Sequence, residues 1–199
     1  MSDTPALYLL DGYGLIYRAY FAFARTPVKN TQGQVVSALY GFFRMVLSII
    51  REYGPERLVL VLDPPGPTFR HRMYPQYKAT RQATPEDLRA QFPLIEEVVA
   101  DLGLPVLRVN DYEADDVIAT LARRCREEGR KCYIVSADKD LMQLIDDCIF
   151  MLRPAKTGGF EILDAEGVVA DKGVRPAQIL DYLTLLGDSS DNVPGVKGV

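Results

Sequence analysis

Nine acidic residues fall where a folded α/β chain could gather them around divalent cations. Leu7 to Leu10 reads as a strand running out onto Asp11, and Leu58 to Leu62 as one running out onto Asp63. Pro105 to Val109 leads into Glu113, Asp115 and Asp116, and Tyr133 to Val135 leads into Asp138 and Asp140. Asp188 and Asp191, three apart, complete the set. In an open α/β sheet, ligands sit outside the carboxyl ends of parallel strands, so parallel pairing would aim these carboxylates into one crevice. Two like charges 4 Å apart repel by roughly 1 kcal/mol in water and about 4 kcal/mol at an effective dielectric of 20. Such a cluster is unfavourable without cations, and its hard oxygen ligands suit Mg2+ or Mn2+. Two ions about 3.5–4 Å apart support phosphodiester hydrolysis with no histidine base. The only histidine, His71, sits among Arg70, Arg72 and Pro75 and is expected to be a solvated loop residue.

Each motif has a plainer explanation when taken alone. Glu113 and Asp116 share one side of a helix by their spacing, yet acids in a first turn are ordinary, because the helix N-terminus favours negative charge. Thr68 to Arg81 interleaves Arg70, Arg72, Lys78 and Arg81 with Phe69, Tyr74 and Tyr77. Cations take phosphates and rings stack on bases, which is what a single nucleic-acid strand requires. A helical turn there would present Tyr74, Lys78 and Arg81 together, with Arg18 and Arg25 extending the surface. An exposed charged loop has the same composition.

The chain has 199 residues, 48% hydrophobic and 25% charged, enough for one sizeable core with a small appendage. Its net charge of −4 hides an asymmetry: residues 1–82 hold ten Lys and Arg against five acids, and residues 83–199 hold thirteen against twenty-two. A basic half can grip a polyanion, while an acidic half needs cations before phosphate approaches; an uneven scatter of solvated charge gives the same counts. The apolar runs are too short to span a bilayer, and Met1-Ser2-Asp3 does not open a signal peptide. A cytoplasmic protein with no membrane partner is expected. Cys125, Cys132 and Cys148 lack Cys-x-x-Cys spacing and are expected as buried thiols.

The elements that must position the acids read as strand, helix, helix, strand, basic loop, helix, strand, helix, strand, helix. After an aromatic helix over Leu15 to Phe23, Ser37 to Tyr53 carries Leu39, Phe42, Val46, Ile49 and Ile50 on a helical period and is closed by Gly54-Pro55. Residues 85–102 are expected as one helix kinked at Pro93. Glu113 to Glu128 forms a helix stopped by Gly129, and Asp138-Lys139-Asp140 leaves a strand to enter another. Ile149 to Leu163 should form a hairpin or loop around Thr157-Gly158-Gly159, followed by an amphipathic helix over Pro176 to Leu186.

These motifs, in this order, resemble the 5′ nuclease domain of bacterial DNA polymerase I, in the flap endonuclease superfamily. The resemblance rests on Leu10-Asp11-Gly12, Tyr17-Arg18-Ala19, Val61-Leu62-Asp63, Thr68-Phe69-Arg70 and Tyr77-Lys78-Ala79-Thr80-Arg81 in the N-terminal half. Glu113-Ala114-Asp115-Asp116, Asp138-Lys139-Asp140 and Gly187-Asp188-Ser189-Ser190-Asp191-Asn192-Val193-Pro194-Gly195 carry it in the other half. It implies a PIN-like, Rossmann-like α/β fold with a central, mostly parallel sheet flanked by helices. It divides the chain into a nuclease domain over 1–175, with a basic gateway near 64–84, and the start of a helix-hairpin-helix over 176–199, inside which the chain stops.

The activity implied is a structure-specific 5′-3′ exonuclease and flap endonuclease. It would use Mg2+ or Mn2+ on DNA with a 5′ flap, nick or RNA primer, with a polymerase domain fused C-terminally. Asp11, Asp63, Glu113, Asp115 and Asp116 would lie nearest the scissile phosphate, with Asp138, Asp140, Asp188 and Asp191 completing the metal site. Lys78 and Arg81 would stabilise the phosphate and Tyr77 would stack a base. Arg18, Arg70, Gly195 and Lys197 would touch nucleic acid, and a complete helix-hairpin-helix would take K+. A Toprim-type magnesium enzyme would need a glutamate where Asp11 stands, and a haloacid-dehalogenase phosphatase an aspartate where Tyr13 stands. A PIN-like scaffold that binds branched nucleic acid without cutting it is the non-enzymatic alternative.

Overall fold

The computed structural model describes residues 4–155 and 158–198. The Met1-Ser2-Asp3 start, Thr157 of the expected hairpin tip, and Val199 lie outside the described residues. A six-stranded sheet is built from β1 (Leu7–Asp11), β2 (Arg57–Val61), β3 (Val106–Leu107), β4 (Cys132–Val135), β5 (Ile149–Pro154) and β6 (Phe160–Leu163), in the order β3-β2-β1-β4-β5-β6. All pairings are parallel except β5 with β6, the expected hairpin. From central β1 the chain moves outward to β2 and β3, then returns to the other side at β4. The order therefore reverses between β1 and β4, where open α/β sheets bind ligands.

Helices cover both faces of the sheet. On one face lie α1 (Gly12–Ala22), α2 (Ser37–Tyr53) and α5 (Phe92–Asp101), burying Leu15, Phe42, Ile49 and Ile95 against Leu10 and Leu60. On the other lie α6 (Ala114–Glu127), a 3-10 helix over Asp140–Leu144, α7 (Ala165–Lys172) and α8 (Ile179–Leu186), packing Ile118, Leu141, Val168 and Ile179 against Leu9 and Ile134. Two layers of apolar side chains fix the sheet from both sides, so its carboxyl edge is a rigid platform.

Several elements differ from the sequence expectation, each for a local reason. The single helix expected over 85–102 is broken into α4 (Glu86–Arg89) and α5, with the break at Ala90-Gln91 and Pro93 inside the first turn of α5. Gln91 is buried because its Oε1 accepts from the backbone N–H groups of Ala38 (2.9 Å) and Leu39 (3.1 Å). Val36, at the N-cap of α2, supplies no such bond, so a side chain from a distant loop satisfies the orphan donors of that helix end. The strand expected over Pro105 to Val109 is only Val106–Leu107, and Asp140 opens a 3-10 helix. Pro176 to Leu186 starts as a 3-10 turn before α8, and α7 has no counterpart in the sequence expectation. Cys125 and Cys132 are buried as expected, while Cys148 is half-buried. Among the described residues no helix is long and apolar enough to cross a membrane.

Candidate functional site

Asp11 is the last residue of β1 and the N-cap of α1. Its Oδ1 accepts from Gly14 N at 3.2 Å and its Oδ2 from the buried Ser136 hydroxyl at 2.7 Å, tying the ends of β1 and β4 together. A Cβ on Gly14 would stand 2.2 Å from Asp11 Oδ2, so any side chain there would displace the Asp11 carboxylate. Asp63 follows β2 and accepts from Ala114 N at 2.7 Å, in the first turn of α6. Asp115 from that turn, Asp138 after β4, Asp11, Asp63 and Glu113 line one cavity of about 770 Å³. Burial, then the charges of Asp11, Asp138 and Asp63, push the Asp115 carboxyl up to about 8. Burial also raises Asp11, to about 6, against the pull of its Ser136 and Gly14 hydrogen bonds. Four carboxylates from four sheet-edge segments thus act on one another across this space.

A second cavity of about 430 Å³ shares Glu113 and Asp115 with the first and adds Asp116, Asp140, Asp188 and Asp191. Burial followed by Asp138 and Asp188 lifts Asp140 to about 6, and its Oδ1 is buried with no hydrogen-bond partner. An orphaned carboxylate oxygen beside like charges is the donor that a hard cation takes. Asp188 is different: burial raises its carboxyl, but Lys139 (3.1 Å) and the N–H groups of Ser190 and Asp191 outweigh that and lower it. Asp188 ends β7 (Gly187–Asp188), and Asp191 sits on the loop between it and β8 (Val193–Pro194). Two glycines set that loop: Gly187 has φ 75° and a Cβ on it would lie 2.3 Å from Gly195 N, while one on Gly195 would lie 2.3 Å from Leu186 O.

All nine expected acids therefore border the two adjoining cavities. Among the described residues, however, no three of them already stand at ion-holding spacing, and basic side chains occupy four of the nine. Lys78 Nζ is 2.8 Å from Glu113 Oε1, and Arg81 is 2.6 Å from Asp191 Oδ1 and donates to Ser190 O. Arg70 makes a two-pronged pair with Asp116 at 2.6 and 2.8 Å. Asp116 also accepts from Glu113 N at 3.0 Å, so both its oxygens are engaged by the chain itself.

Three expectations about the basic segment are corrected. Residues 74–81 form successive turns rather than a helical turn, with Lys78 at φ 57° and its N–H bonded to Asp191 O. Tyr77 is not presented to a base: it is buried against His71, with its hydroxyl 2.8 Å from Glu113 Oε2 and 2.9 Å from Asp191 Oδ2. His71 is not a solvated loop residue, since it lies in α3 (Phe69–Met73) and its Nδ1 accepts from Thr68 N at 3.1 Å. Arg70, expected to touch nucleic acid, is paired with Asp116. Arg18 lies outside both acid cavities and donates to Pro154 O at 3.2 Å, while Gly195 and Lys197 line neither. Ser136, Lys139 and Gln91 escaped sequence reasoning; a serine two residues before Asp138 at a strand end was the available signal for the first.

Similarity to known proteins agrees with this geometry. Residues 6–173 match the family described as 5′-3′ exonuclease, N-terminal resolvase-like domain. The chain is 50% identical over 199 residues to DNA polymerase I of Treponema pallidum, covering all of this chain and 20% of that protein. It is 42% identical to the 5′-3′ exonuclease of Aquifex aeolicus, covering 97% of this chain and 65% of that one. It thus spans about a fifth of the first relative and about two thirds of the second. The solved structure of T5 5′-exonuclease with bound zinc shares the fold, at a TM-score of 0.77 and 20% identity over 98% of this chain and 71% of that one. The chain belongs to the 5′-3′ exonuclease family, through its N-terminal resolvase-like domain.

Proposed function

We propose that this chain is a divalent-metal-dependent, structure-specific 5′ nuclease that hydrolyses phosphodiesters in DNA with a 5′ flap, nick or RNA primer. The observation that carries the proposal is the mutual crowding of Asp11, Asp63, Asp115 and Asp138 in one cavity at the sheet's switch point, in a member of this family. Asp11, Asp63, Asp115, Asp138 and Asp140 would hold Mg2+ or Mn2+. When bound, the ions supply Lewis-acid stabilisation of phosphate charge and acidify a water. Lys78 and Arg81 stand at the mouth of the larger cavity on Glu113 and Asp191; once those acids are neutralised, both cations are free to take phosphate oxygens. Asp116 serves as the anchor of Arg70, and Tyr77 holds Glu113 to Asp191.

In the same proposal, residues 1–175 are the nuclease body with a gateway over 64–84, and 176–199 begin a helix-hairpin-helix that grips duplex DNA. A polymerase domain as partner is in keeping with the relative named DNA polymerase I. The test is cleavage of an end-labelled 5′-flap DNA with and without chelator. Asp115→Asn should abolish cutting, and Lys78→Ala should slow it by about 10²-fold or more. DNA binding with no cleavage in millimolar Mn2+ at high enzyme concentration would replace the nuclease with a non-cutting binder.

A further inference from the structure

A groove of about 720 Å³ lies between α1, α2 and the hairpin of β5 and β6, outside the acid site. Its lining includes three basic residues, Arg18, Arg44 and Arg51, together with the apolar Phe23 and the exposed Leu47 and Ile50. Helix α1 is the partition: Tyr17 and Phe21 line the acid cavity, while Arg18 and its neighbours line the groove. Helices α1 and α2 touch at Gly41, where a Cβ would stand 2.9 Å from Ala19 Cβ. Two of the cations are held in place. Arg18 donates to Pro154 O at 3.2 Å, and the Arg44 guanidinium lies 5.5 Å from the centre of the Tyr40 ring, which in turn stands edge-on to Phe23.

Among the described residues no carboxylate pairs with any of the three arginines. Glu52, beside Arg51, takes the Ser48 hydroxyl at 2.7 Å, and its other oxygen lies 4.0 Å from where a Cβ on Gly159 would stand, so one carboxylate borders the groove against three basic residues. This contrasts with the acid site, where Arg70, Lys78 and Arg81 are all spent on carboxylates. Three unpaired, partly fixed forks beside apolar side chains suit an anion with repeating charges. Arg44 and Arg51 are seven residues apart on one helix, about 10 Å along its axis, the rise of roughly three nucleotides of one strand at about 3.4 Å each.

We propose that this groove binds the phosphodiester backbone of a DNA strand, as a second contact that lies across α1 from the reaction centre. The proposal rests on the nuclease reading and adds to it a place for substrate that does not pass the acids. Neutralising phosphate contacts releases counterions, so each contact contributes about 0.9 to the slope of log affinity against log salt.

The experiment is fluorescence anisotropy of a labelled 5′-flap duplex in metal-free buffer across a salt series, with single-turnover cleavage in Mg2+ measured alongside. Arg44→Ala with Arg51→Ala should weaken binding and reduce the slope by about 2, while the rate at saturating enzyme stays within twofold. Arg123→Ala with Arg124→Ala, on the exposed side of α6, removes the same charge and should leave the slope unchanged. An equal change in both double variants would make the effect one of net charge and overturn the proposal. So would an unchanged slope in the first, and an unchanged slope with binding of a poly-glutamate peptide lost would assign the groove to an acidic protein segment instead. If the unaltered chain neither binds nor cuts flap DNA, the nuclease reading fails and takes this one with it; if it does both, only the groove is at issue.

Discussion

Asp115 is acted on by burial and by Asp11, Asp138 and Asp63 at once, so its carboxyl is pushed up to about 8 from an unfolded value near 3.9. A carboxyl raised in the folded state keeps its full share of stability below the unfolded pKa and loses it as pH rises towards the folded one. The metal-free protein should therefore melt at progressively lower temperature between pH 5 and pH 8, and Asp115→Asn should flatten that dependence. A melting temperature that is flat or rising over that range in chelator would contradict the crowding. Asp116 is the contrasting acid, lowered by Arg70 against the effect of burial. Asp116→Asn should cost about 1–3 kcal/mol of stability yet leave Mn2+ binding, followed by electron paramagnetic resonance, close to unaltered, whereas Asp115→Asn should remove it. The sequence marked both acids alike, because helix spacing says which side a carboxylate faces and not which cation reaches it first. Arg70 comes from a segment 46 residues away.

At the scale of elements, α2 runs over the residues that its apolar period marks, but its cap does not come from its own sequence. Gln91→Ala would strip two backbone donors at that helix end of their acceptor, at about 2–3 kcal/mol, or a fall of roughly 5–10 °C in melting temperature for a chain of this size. A calorimetric scan within 2 °C of the unaltered protein would count against the cap. Helix α7 was illegible for a related reason. Asp164 caps it and Gly173 ends it, yet Val168 is its one buried residue, so it lacks the apolar stripe that announces a helix. The segment over 74–81 misled in the other direction: Tyr74, Lys78 and Arg81 have helical spacing, but Asp191 and Asn192, from the far end of the chain, dictate its turns. Tyr77→Phe should loosen those turns, seen as faster amide exchange across 74–81 with exchange in the sheet unchanged.

For the whole molecule, the basic first half and the acidic second half meet in the cleft. Lys78 and Arg81 lie on Glu113 and Asp191, and the asymmetry visible in the composition is partly consumed there. Strand-terminal acids and the parallel-sheet rule were enough to foresee their convergence, since the rule depends only on strand direction. That Lys78 and Arg81 would temper it was not foreseeable, because they reach it from a loop with no regular element. Divalent ions should stabilise the fold by mass action, by about 2.7 kcal/mol at a hundred times their dissociation constant, or roughly 5–11 °C. Identical melts in chelator and in millimolar Mg2+ at pH 8 would dissolve the shared site.

The two glycines of the β7–β8 loop carry a lesson for anyone mutating this chain at random. A Cβ on Gly187 would meet Gly195 and Val193, and one on Gly195 would meet Leu185 and Leu186, so neither position has room for even a methyl group, and the hairpin they close carries Asp188 and Asp191. Inactive variants at Gly187 and Gly195 would look like lost chemistry in a survival screen, although every acid of the site would still be present. The injury there is one of clearance, and an engineer retuning ion preference should vary Lys139 or Asp140 and leave both glycines alone.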